Sequence, residues 1–213
     1  MDDPRQSQLT ELQATIRLCE RCVVAGYIPG AQPILRGDAA ARIMVVGQAP
    51  GAATGERSVP YAGATGKTLA GWLARAGFAE GAFHDPQRFY LTSLTKCFPG
   101  KASSGAGDRA PSRAEIGFCA LHLAAELALV QPELILALGR LSIEALLPAW
   151  RGLPLAELVG EARPAGLPPA GDALVLALPH PSGVSRWHND APNQARLALA
   201  LDWLAAERVR RGW

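Results

Sequence analysis

Ile43-Met44-Val45-Val46-Gly47-Gln48-Ala49-Pro50-Gly51 is the stretch on which the fold turns. Four apolar residues follow one another without polar alternation, the pattern of a strand covered on both faces, and they run into a loop of small and cyclic residues. Runs of the same kind occupy residues 89–94, 134–138 and 174–178. Helical spacing fills the intervals. Residues 68–76 put Leu69, Trp72, Leu73 and Ala76 on one face, and Ser112-x-x-Glu115 after Pro111 opens a helix over 112–130. Further helices are predicted over about 6–18, 140–147 and 193–210. Strands alternating with helices predict an α/β fold: a three-layer α/β/α sandwich with a central four-stranded parallel sheet, built by residues 1–213 as one domain.

The composition agrees with a packed core. Of the 213 residues 49% are hydrophobic and 19% charged, which excludes disorder over most of the length. No apolar run approaches the roughly 18 residues that cross a bilayer, and residues 1–18 are too polar for a signal peptide. A soluble, cytoplasmic monomer without a membrane partner is expected. The net charge of +2 does not advertise a polyanion, and Lys67, Lys96 and Lys101 are the only lysines.

Four cysteines pose the first chemical question. Cys19 and Cys22 form a Cys-x-x-Cys pair, and Cys97 and Cys119 lie far downstream. In a reduced compartment they read either as a redox pair plus two structural thiols or as one metal site. Four thiolates suit a tetrahedral zinc or a four-iron cluster equally well, and spacing does not choose between them.

In α/β sheets ligands gather beyond the carboxyl ends of the strands, so the loops there carry the remaining motifs. Gly63-Ala64-Thr65-Gly66-Lys67-Thr68 ends like a phosphate-binding P-loop, but that motif needs glycine where Tyr61 stands and a strand directly before it. Lys67 reads instead as a solvated residue in the first turn of a helix. Tyr61, on the constrained Pro60-Tyr61-Ala62-Gly63 loop, offers a flat surface for a planar ring. His180, between Pro179 and Pro181 at a strand end, can donate a hydrogen bond to an oxygen gaining negative charge. Residues 182–190 follow as a loop with Ser182, Arg186 and Trp187, suited to gripping phosphate and wedging into a base stack. The Gly/Ser-rich segment 100–110 is expected to be a mobile loop.

Taken in order, Cys-x-x-Cys, Gly47-Gln48-Ala49-Pro50-Gly51, Pro60-Tyr61-Ala62-Gly63, Tyr90 to Cys97, Cys119 and His180-Pro181-Ser182 resemble the uracil-DNA glycosylase superfamily, specifically its iron–sulfur branch, family 4. The resemblance spans about residues 19–187. It implies removal of uracil from DNA and one structural 4Fe–4S cluster held by Cys19, Cys22, Cys97 and Cys119. It also implies that Gln48 and Ala49 contact the pyrimidine and the attacking water, that Tyr61 stacks on the base, that Ser93 meets its edge, and that His180 donates to the uracil O2. Ser182, Arg186 and Trp187 match the loop that enters the DNA minor groove. Two positions depart from the family. Gln48 stands where a glutamate is usual, and Ser93 where asparagine reads the uracil edge; a serine hydroxyl is shorter and rotates, so less discrimination is expected. The sibling family 5 places an aspartate where Ala64 stands.

The chemistry tolerates the missing glutamate. Cleavage of an N-glycosidic bond separates an oxocarbenium from a base anion, and stabilising those charges matters more than a strong base. Glu56 and Asp190 are the substitute carboxylates expected near the site. Two alternatives are a glycosylase for other deaminated bases (hypoxanthine or xanthine), since Ser93 relaxes edge reading, and a non-catalytic protein binding DNA or abasic sites. Net charge averages over the surface, so the DNA reading carries a positional expectation: Arg57, Lys67, Lys101, Arg109 and Arg186 form a basic rim around His180.

Overall fold

The computed structural model describes residues 3–57, 59–104, 107–183, 185 and 187–213, with backbone alone at 55–57. A five-stranded sheet runs through the centre: β1 (Ile43–Gly47), β2 (Phe89–Ser93), β3 (Leu134–Leu138), β4 (Ala162–Pro164) and β5 (Leu174–Leu178), in the order β2-β1-β3-β5-β4. The first three and β5 are parallel, and they are the four strands the apolar runs predicted. The fifth corrects the expected count. β4 is only three residues long, pairs antiparallel with β5 at the edge, and ends in Pro164. It has neither an apolar run nor alternation to announce it, and a proline ends a strand cheaply only at such an edge.

Alternation within each strand divides the core into two layers. Met44 and Val46 of β1 face one side with Tyr90, Ile135, Ala137 and Val175, covered by helices α1 (Pro4–Arg17), α5 (Arg113–Val130) and α6 (Arg140–Leu146). Ile43 and Val45 face the other with Phe89, Leu91, Leu136 and Leu176, covered by α4 (Ala64–Arg75) and α8 (Ala191–Arg211). A period of two on a sheet buried on both faces is what turns continuous apolar runs into a three-layer sandwich. Short helices α2 (Arg21–Val24), α3 (Ala52–Arg57) and α7 (Leu155–Leu158) lie in segments whose sequence has no helical period. None of the helices among the described residues is long and apolar enough to cross a membrane.

Helix α5 starts as its sequence requires. The Ser112 hydroxyl accepts from the Glu115 N–H, while the Glu115 carboxylate accepts from the Ser112 N–H and from both terminal nitrogens of Arg109, at 2.8 and 2.7 Å. The Arg109 guanidinium, then the Ser112 donors, hold the Glu115 carboxyl down to about 2 against the opposing effect of burial. Further along, the same helix carries a charge into the core.

That charge is Glu126, fully buried, and its counter-ion is Lys96, 1% exposed, just past the end of β2. Nζ lies 2.7 Å from Glu126 Oε2 and donates also to Thr92 Oγ1 at 2.8 Å and to the Ser93 carbonyl at 2.7 Å, so all three ammonium protons have acceptors. The carboxylate in turn accepts from the Tyr90 and Thr92 hydroxyls, each at 3.1 Å. The network is closed on itself, the condition under which buried charges are tolerated. Removing one partner strands the other. Glu126→Ala is expected to cost about 3–5 kcal/mol in unfolding free energy, whereas Lys96→Met with Glu126→Leu together costs clearly less than the two single changes summed. Denaturant unfolding of the three variants measures this, and simple additivity would refute the account.

Candidate active site and cysteine cavity

The carboxyl ends of β1, β2, β3 and β5 open into a groove of about 840 Å³. Gln48, Ala49, Tyr61, Ser93, His180 and Ser182 all line it, so six of the residues singled out in the sequence come together from four separate segments. β1 and β2 finish in register there, Gly47 beside Ser93.

Tyr61 is held in place by what its neighbours lack. Its φ is +57°, a left-handed conformation that costs a non-glycine residue of order 1 kcal/mol and survives only where surroundings fix it. A Cβ on Gly47 would lie 2.8 Å from the Tyr61 hydroxyl, and one on Gly66 would lie 1.7 Å from the Tyr61 carbonyl oxygen. The hydroxyl donates to the Thr92 carbonyl at 3.3 Å, and the ring meets Phe83 edge-on at 5.6 Å. Gly66 thus has a structural reason unrelated to phosphate: helix α4 begins directly beneath the Tyr61 loop. Lys67 is exposed in its first turn and does not line the groove, as the rejected P-loop reading implies.

His180 follows β5 and packs on Gly139, where an added Cβ would come within 3.2 Å of its own. The Ser182 N–H points at His180 Nδ1, 3.3 Å away, and the Ser182 hydroxyl lies 2.8 Å from the same nitrogen. A peptide N–H can only donate, so Nδ1 is an acceptor and the neutral ring carries its proton on Nε2. Burial lowers the His180 pKa, which keeps the ring neutral. The arrangement presents one uncharged donor, Nε2–H. Ser182, expected to contact DNA, here orients the histidine.

The groove holds a carboxylate that the motif reading missed. Asp108 lines it, accepts from the Ala52 N–H at 3.2 Å and pairs with Lys101 at 2.8 Å. Lys101 and Asp108 face each other across an antiparallel bridge, so the described part of the 100–110 segment is a tied hairpin rather than a loose loop. The available signal was that Asp108 is the only acidic residue between Gly100 and Ala110. Of the two carboxylates expected instead, Asp190 is exposed at the start of α8 and does not line the groove, and the Glu56 side chain lies outside the described residues.

The expected basic rim is only partly present. Lys101 and Arg109 line the groove, but the first is paired with Asp108 and the second with Glu115. The Arg57 side chain and Arg186 lie outside the described residues. Trp187 is half-buried against the α4–α8 layer rather than standing out as a wedge, and its carbonyl accepts from Asn193.

On the other side of the Lys96 network all four cysteines line one small cavity, together with Lys96, Glu115 and His122. Cys19 comes from the turn between α1 and α2, Cys22 from α2, Cys97 from the loop after β2, and Cys119 from α5. Burial first, then the neighbouring thiols, push Cys22 and Cys97 up to about 11, and burial raises Cys119 as well. Peptide N–H groups of Gln32 and Lys96 point at the sulfurs of Cys97 and Cys119 and act in the opposite sense, favouring thiolate. Four soft donors around one space, two of them with N–H support, suit a positively charged group. Among the described residues no three His, Cys, Asp or Glu side chains form a group that could hold a single metal ion.

Known proteins place the chain in a family. Residues 35–205 match the family model described as the uracil DNA glycosylase superfamily. The type-4 uracil-DNA glycosylase of Pyrobaculum aerophilum is 32% identical over 139 residues, 65% of this chain and 64% of that protein. Its counterpart from Archaeoglobus fulgidus is 29% identical over 140 residues, 64% of this chain and 62% of that protein. The match thus spans slightly under two thirds of these relatives' length. With the family match extending from just before β1 into α8, across the groove and every strand of the sheet, this chain belongs to the uracil DNA glycosylase superfamily.

Proposed function

We propose that the chain, acting as one unit over residues 1–213, hydrolyses the N-glycosidic bond of uracil in DNA and leaves an abasic site. The observation that carries this reading is the half-buried His180 on the groove wall with the Ser182 N–H directed at its Nδ1, which leaves Nε2 to carry the proton of the neutral ring. Such a donor stabilises the oxygen of a departing uracil anion at the moment its charge develops. The nucleotide is turned out of the stack to reach the groove, Tyr61 supplies the stacking surface, and Gln48 and Ala49 hold water against the sugar carbon. Asp108 takes the place of the missing glutamate as the negative charge facing the oxocarbenium. The relatives named as type-4 uracil-DNA glycosylases support the same substrate. Lys101 and Arg109 at the groove, with Arg186 on the 182–190 loop, provide the contacts to the DNA backbone.

Cys19, Cys22, Cys97 and Cys119, which line one cavity, would hold one structural 4Fe–4S cluster. A cluster of this type takes one thiolate at each iron, so it asks for four sulfurs around one space rather than several at one ion. Through these four residues a bound cluster would contribute folding free energy, with Cys19 and Cys22 tied to Cys119 of α5 and to Cys97 after β2.

His180→Ala is expected to lower the single-turnover rate of uracil release about 10²–10³-fold, the usual loss for one donor to a developing anion. Asp108→Asn is expected to lower it about 10²-fold with little change in DNA affinity. Because burial disfavours the imidazolium, the His180 proton arrives only at a pH below the ordinary histidine value near 6.5. The rate should therefore stay level as pH falls through that value and drop only in more acid solution. Full activity of His180→Ala, or a wild-type profile halved near pH 6.5, overturns the role given to His180.

Anaerobically purified protein is expected to be brown, with broad absorbance at the blue end of the visible range, and Cys119→Ser to lose both colour and thermal stability. A colourless, zinc-bearing protein refutes the cluster.

A further inference from the structure

Ser93 lies at the register end of β2, 5% exposed, on the wall of the groove. Its Oγ is 2.7 Å from the Thr95 carbonyl oxygen. A carbonyl has nothing to donate and a hydroxyl has one proton, so that proton is committed to Thr95 and the side chain does not rotate freely. The peptide donors beside it are committed too: the Leu94 N–H goes to the Gly47 carbonyl at 2.8 Å and the Thr95 N–H to the Gln48 carbonyl at 3.2 Å. The Ser93 carbonyl, in turn, holds Lys96. The Ser93 side chain offers a ligand lone pairs and nothing else.

We propose that Ser93 is an acceptor-only reader of the base edge, selecting nucleobases that carry a ring N–H and leaving the adjacent exocyclic oxygen untested. This rests on the reading that the groove holds a nucleobase, and it names the class. Cytosine presents a lone pair at N3 and uracil an N–H; adenine presents a lone pair at N1 and hypoxanthine an N–H. Deamination therefore leaves the same mark on a pyrimidine and on a purine, and Ser93 reads that mark. An asparagine would test N–H and carbonyl together; the fixed serine tests the N–H alone. The groove, near the upper end of the ~300–1,000 Å³ of ordinary ligand sites, has room for a bicyclic base. The substrate class is then uracil together with hypoxanthine and xanthine. Guanine and thymine also carry the N–H, so Ser93 does not reject them, and their exclusion falls to other walls of the groove.

The test is binding to oligonucleotides with one 2′-fluorinated nucleotide, which resists cleavage, carrying uracil, N3-methyluracil, cytosine, hypoxanthine, N1-methylhypoxanthine or adenine. Wild-type protein is expected to bind uracil and hypoxanthine about tenfold or more tighter than their methylated and aminated counterparts, the usual effect of an unpaired buried acceptor. In Ser93→Ala that preference is expected to shrink to about twofold or less. Loss of uracil and hypoxanthine preference in wild type, preference for uracil alone, or an unchanged preference in Ser93→Ala overturns the proposal. The wild-type comparison decides by itself should Ser93→Ala unfold. Uracil release from unfluorinated DNA is measured in parallel: release without the binding pattern sinks the Ser93 role and leaves the glycosylase reading standing, and the pattern without release does the reverse.

Discussion

The buried ion pair between Lys96 and Glu126 is the constraint from which both candidate sites take their shape. Two charges in the interior of a protein are expensive unless every lone pair and proton is used, and here they are used by β2 itself: Tyr90, Thr92 and the Ser93 carbonyl. The pair therefore fixes the backbone at the end of β2 against α5. On one side of that backbone Ser93 and Thr92 face the groove; on the other Lys96 lines the cysteine cavity and its N–H supports Cys119. A second ion pair, Arg109 with Glu115, spans the same two spaces, with Arg109 on the groove and Glu115 on the cavity. Apolar residues at these four positions would pack, but they would not set the distance between a strand end and a helix as closely.

The groove is shaped as much by missing atoms as by side chains. Gly47 and Gly66 leave room above and below Tyr61, and Gly139, at φ +80°, leaves room for His180. Each glycine sits where a strand ends or a helix begins: Gly47 and Gly139 let the Tyr61 and His180 side chains approach backbone more closely than a Cβ allows, and Gly66 does the same for the Tyr61 carbonyl. Strain at Tyr61 is offset by the hydroxyl bond to Thr92, whose side chain belongs to the Lys96 network. The conformation of the Tyr61 ring is thus coupled to the buried charges through a single residue.

How much of this was legible in the sequence depended on whether a feature is periodic or relational. The four parallel strands were legible because burial on both faces writes a continuous apolar run, and α5 because its capping box is local. β4 was not, since a three-residue edge strand owes its pairing to β5 and carries no period of its own. The cysteines, Gln48, Tyr61, Ser93 and His180 could be picked out by residue type and position in a motif. Their relations could not: that Ser182 turns its N–H onto His180, that Asp108 swings back onto the Ala52 amide, and that Trp187 lies against the apolar layer follow from tertiary contacts. Gly66 shows the hazard of residue type alone, for a glycine before a lysine suggests phosphate when its purpose is to clear the Tyr61 carbonyl.

The two departures from the family motif are better understood together than singly. Replacing glutamate by Gln48 removes a negative charge from the β1 loop, while Asp108, paired with Lys101, brings a carboxylate to the same groove from a different segment, anchored on Ala52 at the start of α3. Replacing asparagine by Ser93 removes an amide donor from the groove wall, and no neighbouring N–H of Leu94 or Thr95 is available to supply another. The first loss is one of position and can be made good by any carboxylate the loops bring within reach. The second is one of hydrogen-bonding capacity on a wall whose donors are already spent, and it changes what the groove can distinguish. Charge at a site can migrate between segments without altering the chemistry, because Coulomb attraction is tolerant of direction. Edge recognition cannot, because a hydrogen bond needs its donor on the correct side.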